Sequence, residues 1–194
     1  MSACPHSLTI WASNSQDVDV VVMEDPDIYD AETVKDMIVK TDPNFFLVDA
    51  QDPRETYKIL WYRLSQSGRR CKVDILLPGP QYLDIPSVPR EDITYTKRSR
   101  TPLMPLLTLI LMKLKGWEDH RTDHRARMRE KADQDVRDIA ELLYIALQKG
   151  QLLQFEDEAH LWSEWFWERG QERIREYMHR WPCTIEIWME VFVF

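Results

Sequence analysis

The chain has few cysteines, no surplus of positive charge and no long apolar run, and each shortage argues against a class of function. Its three cysteines, Cys4, Cys71 and Cys183, are widely spaced, and no two form a C-x-x-C knuckle. That pattern argues against a cysteine-based zinc site, and an odd, scattered set predicts a reducing compartment and folding without disulfides. Lys and Arg number 25 against 33 Asp and Glu, a formal net charge of −8. The chain therefore lacks the large basic surface on which sequence-independent nucleic-acid binding relies, although a local basic groove is compatible with that total. One basic cluster does occur, formed by Arg121, Arg125, Arg127, Arg129 and Lys131. The longest apolar stretch, Leu103 to Met112, is interrupted by Pro105 and falls well short of the roughly 20 residues of a membrane-spanning helix. No signal-peptide pattern opens the sequence, so a soluble cytoplasmic protein that engages no membrane is expected. Internal repeats and low-complexity segments are missing, and no G-x-S-x-G supports a Ser/His/Asp triad.

What is present suffices for a core: 194 residues, 44% of them hydrophobic, with eight Trp and six Phe. That length suits one domain, or a small sheet domain with a helical appendage. QDVDVVV, Gln16 to Val22, reads as a strand, and PDIYDAETVKDMIVK as a helix capped by Asp30 and ended by Pro43. Phe45 to Asp49 reads as a second strand. TYKILWYRL, the turn QSGR and CKVDILL read as a β-hairpin, with Ile59 and Trp61 on one face. Six prolines between Pro78 and Pro105 stiffen a long connection that holds an edge piece at Ile93 to Thr96. Helical periodicity then takes over, through Leu106, Leu107, Ile110, Leu111 and Leu114, and again through Val136, Ile139, Ala140, Leu142, Leu143 and Ala146 up to Gly150. A third helix is expected from about Asp157 to Arg180, burying Trp162, Trp165, Phe166, Ile174 and Met178. Trp167 lies off that stripe. TIEIWMEVFVF alternates like a strand, which predicts either completion of a sheet within the monomer or pairing into a homodimer. Strands first and helices second make an α+β class, divided as a sheet domain over 1–100, a helical subdomain over 101–182 and a C-terminal strand or tail over 183–194.

Three acids interrupt apolar strands. Asp17 and Asp19 stand two residues apart and so share a face; the plain alternative is a strand end that faces water. Asp74 is the only acid in CKVDILL, where its charge is costly unless paired, hydrogen-bonded or bound to a metal. The plain alternative there is a pair with Lys72 or Arg70. Should the Asp74 strand lie beside the Asp17 strand, the three carboxylates converge as hard oxygen ligands suited to Mg²⁺. His120 and His124 have no third soft ligand at suitable spacing and read as a solvated, looped surface.

The order strand D-x-D, helix, strands, then a strand with an acid between apolar neighbours resembles the polymerase-β-like nucleotidyltransferase superfamily. LMKLKGWEDHRTDHRARMREKADQDVRDIAELL is similar to the helical part of its minimal members, including toxin enzymes of bacterial abortive-infection systems and uncharacterised fungal relatives. The matching positions are Lys113, Leu114, Gly116, Trp117, Arg121, Lys131, Asp135, Asp138 and Ile139, and the likeness spans roughly residues 11 to 147.

The resemblance implies that Asp17, Asp19 and Asp74 hold Mg²⁺ or Mn²⁺ and that Asp74, or one of the ions, activates an acceptor hydroxyl. It implies transfer of an NMP group from a nucleoside triphosphate such as ATP to RNA, a protein or a small molecule, with Lys113, Arg121, Arg129 and Lys131 serving the phosphates and Asp135 and Asp138 orienting Lys131. For Lys113 the plain alternative is a side chain that snorkels to the surface, and for Lys131 and Asp135 a helix salt bridge. The chain departs from the family pattern at its start. A Gly-Gly or Gly-Ser pair normally precedes D-x-D, yet only Ser2, Ala3 and Cys4 stand at that distance, and Ser13 to Ser15 is no equivalent. The expectation is a chain truncated at its N-terminus or one that has lost the phosphate-cradling turn. The alternative function is accordingly a catalytically inactive scaffold or interaction protein.

Overall fold

The computed structural model describes residues 17–23, 29–64, 68–79, 84–148 and 158–192. They divide between two compact units, one within Ile10–Ser87 and one containing Val88–Phe194.

The first unit is a four-stranded sheet backed by a helix. Its strands are β1 (Asp17–Val21), β2 (Phe45–Asp49), β3 (Lys58–Arg63) and β4 (Arg70–Leu76), in the order β1-β4-β3-β2. β1 runs parallel to β4, and the other neighbours are antiparallel. The expected hairpin forms with Arg63 opposite Arg70, and Leu64 N–H donates to the Arg69 carbonyl at 2.9 Å. Helix α1 (Ala31–Thr41) begins as the sequence predicts, with Thr33 N–H donating to Asp30 Oδ1 at 2.6 Å. The core joins Leu60, Val73 and Ile75 to Val34 and Ile38 of α1 and to Phe45, Leu47 and Tyr62. Lys35 is buried in α1 because its ammonium has partners: it bonds Glu32 and donates to the Lys58 carbonyl at 2.6 Å, tying helix to sheet. Since strand side chains alternate, these core positions send Phe46, Trp61, Arg63, Arg70, Lys72, Asp74, Asp17 and Asp19 to the opposite face.

The second unit opens with the proline-rich connection, where β5 (Thr94–Tyr95) and β6 (Pro102–Leu103) pair antiparallel, within and beyond the expected edge piece. Helices α2 (Leu106–Thr122), α3 (Ala126–Gln148), α4 (Glu164–Arg180) and α5 (Ile185–Val191) follow. α2 packs on α3 and α4, and α3 on α5. Pro105 cannot cap α2 with its side chain; Glu158 does so instead, accepting from Leu107 N–H at 3.2 Å and from Thr108 N–H at 2.8 Å. A carboxylate at that end also complements the helix dipole. α4 approaches α2 closely at Gly170, where a Cβ would stand 3.1 Å from Leu111 Cδ2.

Three expectations are corrected. The tail is no strand: Thr184, Trp188, Val191 and Phe192 are its buried residues, a helical spacing that α5 uses to seat Trp188 against Tyr177. The argument for a sheet-completing or dimer-forming edge goes with it. Trp165 is exposed, because α4 buries Phe166, Gly170, Arg173, Ile174 and Tyr177 and Trp165 points off that stripe. Cys183 is disulfide-bonded, whereas Cys71 forms no disulfide. Trp167 is half-buried and stacks on Trp162 at a centroid separation of 5.3 Å. Among the described residues no helix is long and apolar enough to cross a membrane.

Candidate functional site

The three strand acids meet on one face. The parallel register sets Asp19 directly beside Asp74 and Asp17 beside Lys72. Adjacent strands lie about 4.8 Å apart and alternate residues about 6.6 Å apart, so the four side chains occupy the corners of a small rectangle. β1 is at the sheet edge, and Asp17 and Asp19 are exposed.

Lys72 decides the electrostatics of this patch. Its Nζ donates to Asp74 Oδ2 at 2.5 Å. That is the plain pairing open to Asp74 from the sequence, and it offsets one of three crowded negative charges. Carboxylate oxygens suit a hard divalent cation in kind, and their common face suits one in direction. As the side chains stand, among the described residues no three His, Cys, Asp or Glu are gathered closely enough to share an ion. Asp74 would have to leave Lys72 to take part.

The helical unit engages the other sequence candidates within itself, Lys131 excepted. Lys113 Nζ donates to Asp138 Oδ2 at 2.8 Å, and Gln134 holds the other oxygen of Asp138 at 2.6 Å. Asp135 is buried and lies 2.6 Å from His120 Nδ1. Burial pushes the Asp135 carboxyl above its ordinary value, against the opposing effect of His120. His120 is thus a half-buried residue of α2 rather than part of a solvated loop, whereas His124 is exposed as expected. Arg121 pairs with Glu176 and lies over the Trp117 ring, 4.6 Å from its centroid. Arg129 donates to the Asp123 and His124 carbonyls, closing the turn between α2 and α3. Lys131 is exposed and makes no ion pair with Asp135.

Two features escape sequence reasoning. Glu118 on α2 accepts from Arg169 and from the buried Arg173 of α4, each at 2.7 Å. Burial, the largest influence, pushes the Glu118 carboxyl up, but the hydrogen bond and charge of Arg173 and the charge of Arg169 outweigh it and hold the carboxyl below its ordinary value. On the open face of the sheet, Arg70 lies 4.4 Å from the Trp61 centroid and Arg63 lies 4.8 Å from that of Phe46. The alternation of KILWYR signals the face of Trp61, but only the strand register brings the arginines over the rings.

No protein-family model matches the sequence, and no curated protein matches it. In fold the chain is similar to an antigenic nucleotidyltransferase-like protein from Paracoccidioides brasiliensis, with 17% identity and a TM-score of 0.59, over 91% of this chain and 76% of that one. The chain thus has an α+β, nucleotidyltransferase-like fold, with a mixed four-stranded sheet and a helical C-terminal half.

Proposed function

We propose that the chain is a metal-dependent nucleotidyltransferase of the minimal polymerase-β-like type, moving an NMP group from a nucleoside triphosphate to a hydroxyl acceptor. The observation that carries this reading is the parallel register that sets Asp19 beside Asp74 with Asp17 on the same face. Asp17, Asp19 and an Asp74 released from Lys72 would hold Mg²⁺ or Mn²⁺. A cation bound there would offset the charge of the triphosphate. The acceptor oxygen forms a bond to the α-phosphorus, and the bond from that phosphorus to the α–β bridging oxygen breaks. Pyrophosphate leaves with the electron pair, and the acceptor proton passes to the Asp74 carboxylate. The nucleotidyltransferase-like fold supports a nucleotide as the substrate class.

Incubation with each α-labelled NTP, Mg²⁺ or Mn²⁺ and a panel of RNA, protein and small hydroxyl acceptors tests the reaction. Label should pass to one acceptor class, and Asp17→Asn/Asp19→Asn should abolish the transfer. A second reading, an inactive nucleotidyltransferase-fold scaffold, is favoured by one observation: the Lys72 ammonium already neutralises Asp74. No transfer to any acceptor, together with unchanged thermal stability on adding Mg²⁺ and each NTP, would select it.

A further inference from the structure

The open face of the sheet carries more than the acids. Phe46 is opposite Trp61, Trp61 opposite Lys72, and Lys72 opposite Asp17, so these four residues form one row across all four strands. In the adjoining row Arg63 faces Arg70, and each guanidinium lies over a ring of the first row. Trp61 and Phe46 are half-buried, and Arg63 and Arg70 are exposed.

In the helical unit Arg121, Arg125, Arg169 and Arg173 have carboxylate partners, while Arg129, Arg137 and Arg175 donate to carbonyl or amide oxygens. Among the described residues, Arg63 and Arg70 make no ion pair, in a chain whose acids outnumber its bases by 33 to 25. A guanidinium held over a ring is weakly hydrated and keeps N–H groups for a phosphate, and guanidinium and aromatic planes both stack with bases. Cations that track a backbone beside stacking surfaces are the recognition pattern of single-stranded nucleic acid.

Resting on the nucleotidyltransferase reading above, we infer that this face binds the acceptor and that the acceptor is single-stranded RNA. Its bases stack on the Trp61–Arg70 and Phe46–Arg63 pairs, and its phosphates bond the two arginines. The row runs on to Lys72 and Asp17, so the strand's terminal hydroxyl is delivered to the acid patch. A narrow basic and aromatic track reconciles RNA binding with the overall negative charge, because only a few phosphates are neutralised.

Fluorescence anisotropy with a labelled ten-nucleotide RNA, its duplex form and unlabelled NTP competitors tests the inference. The full chain should bind the single strand more tightly than the duplex. Trp61→Leu should weaken binding about tenfold, the loss of one stacked base. Arg63→Gln/Arg70→Gln, exposed positions that leave the core intact, should reduce the slope of log affinity against log salt by about 1.4, the share of two phosphates on a single strand. Both variants should retain the thermal stability and Mg²⁺-dependent NTP affinity of the parent. Failure to bind the single strand, equal affinity in the arginine variant, or loss of NTP rather than RNA binding in these variants would overturn the assignment. RNA binding that persists in Asp17→Asn/Asp19→Asn while no protein binds NTP would refute the nucleotidyltransferase reading and leave the RNA face standing.

Discussion

The two units use charge in opposite ways. In the helical unit the key charges are matched locally: Lys113 with Asp138, Asp135 with His120, Arg121 with Glu176, and Glu118 with Arg169 and Arg173. Those pairs hold helices together, and of the residues that look like phosphate ligands in the sequence, Lys113, Arg121 and Arg129 are engaged in structure while Lys131 is exposed. On the open face of the sheet, the Lys72 ammonium pairs with Asp74 in a patch of three carboxylates, and the Arg63 and Arg70 guanidiniums lie over rings and make no ion pair among the described residues. The contrast separates charges that tie helix to helix from charges grouped on one sheet face, where the proposed function places recognition.

The largest effect expected from breaking this contrast is in the helical unit. Glu118→Gln removes the anionic partner of Arg173, whose side chain is only 4% exposed, and should cost about 3 kcal/mol in urea unfolding, since breaking one half of a buried pair leaves a charge stranded. The same residue predicts a pH dependence. Its folded carboxyl lies below its unfolded value, so its stabilisation is complete above the ordinary carboxylate range and is lost as pH falls through the folded value. Acid titrations of unfolding should show a shallower acid limb in Glu118→Gln than in the parent.

A smaller effect is expected at the acid patch, and of opposite kind. Lys72→Met leaves the carboxylates without their ammonium and should lower metal-free stability by about 1 kcal/mol, the scale of a partly exposed pair. Because Lys72 and a divalent cation compete for Asp74, the same variant should bind Mg²⁺ several-fold more tightly by calorimetry. Weaker or equal metal binding would mean that Lys72 does not restrain Asp74. The smallest effect belongs to Lys131→Ala, exposed and without an ion pair to Asp135, which should change stability by no more than about 0.5 kcal/mol. A larger loss would place Lys131 in the helical network after all.

Much of this architecture is legible in the sequence where local chemistry decides it. Asp30 caps α1, β3 and β4 pair as the expected hairpin, and the apolar periods of α2 and α3 mark their buried faces. The shared face of Asp17 and Asp19 is local as well, but their approach to Asp74 rests on a parallel pairing that only tertiary structure supplies. The tail misleads because Ile185, Ile187 and Val191 alternate, while the burial that decides its form belongs to Thr184, Trp188, Val191 and Phe192 at helical spacing. His120 misleads for a similar reason: its charged sequence neighbours suggest solvent, and its partner Asp135 lies on the next helix. The Arg–aromatic pairs depend on cross-strand register, which composition and periodicity do not encode.

The most direct test is calorimetric titration of the four NTPs with Mg²⁺ or Mn²⁺, comparing the parent chain with Asp17→Asn/Asp19→Asn. The proposed function predicts binding that requires the divalent cation and disappears in the double variant, because Asp17 and Asp19 would then hold the cation of a nucleoside triphosphate. No binding to either protein, or equal binding to both, would contradict it and leave the acids as surface charge on a nucleotidyltransferase-like scaffold.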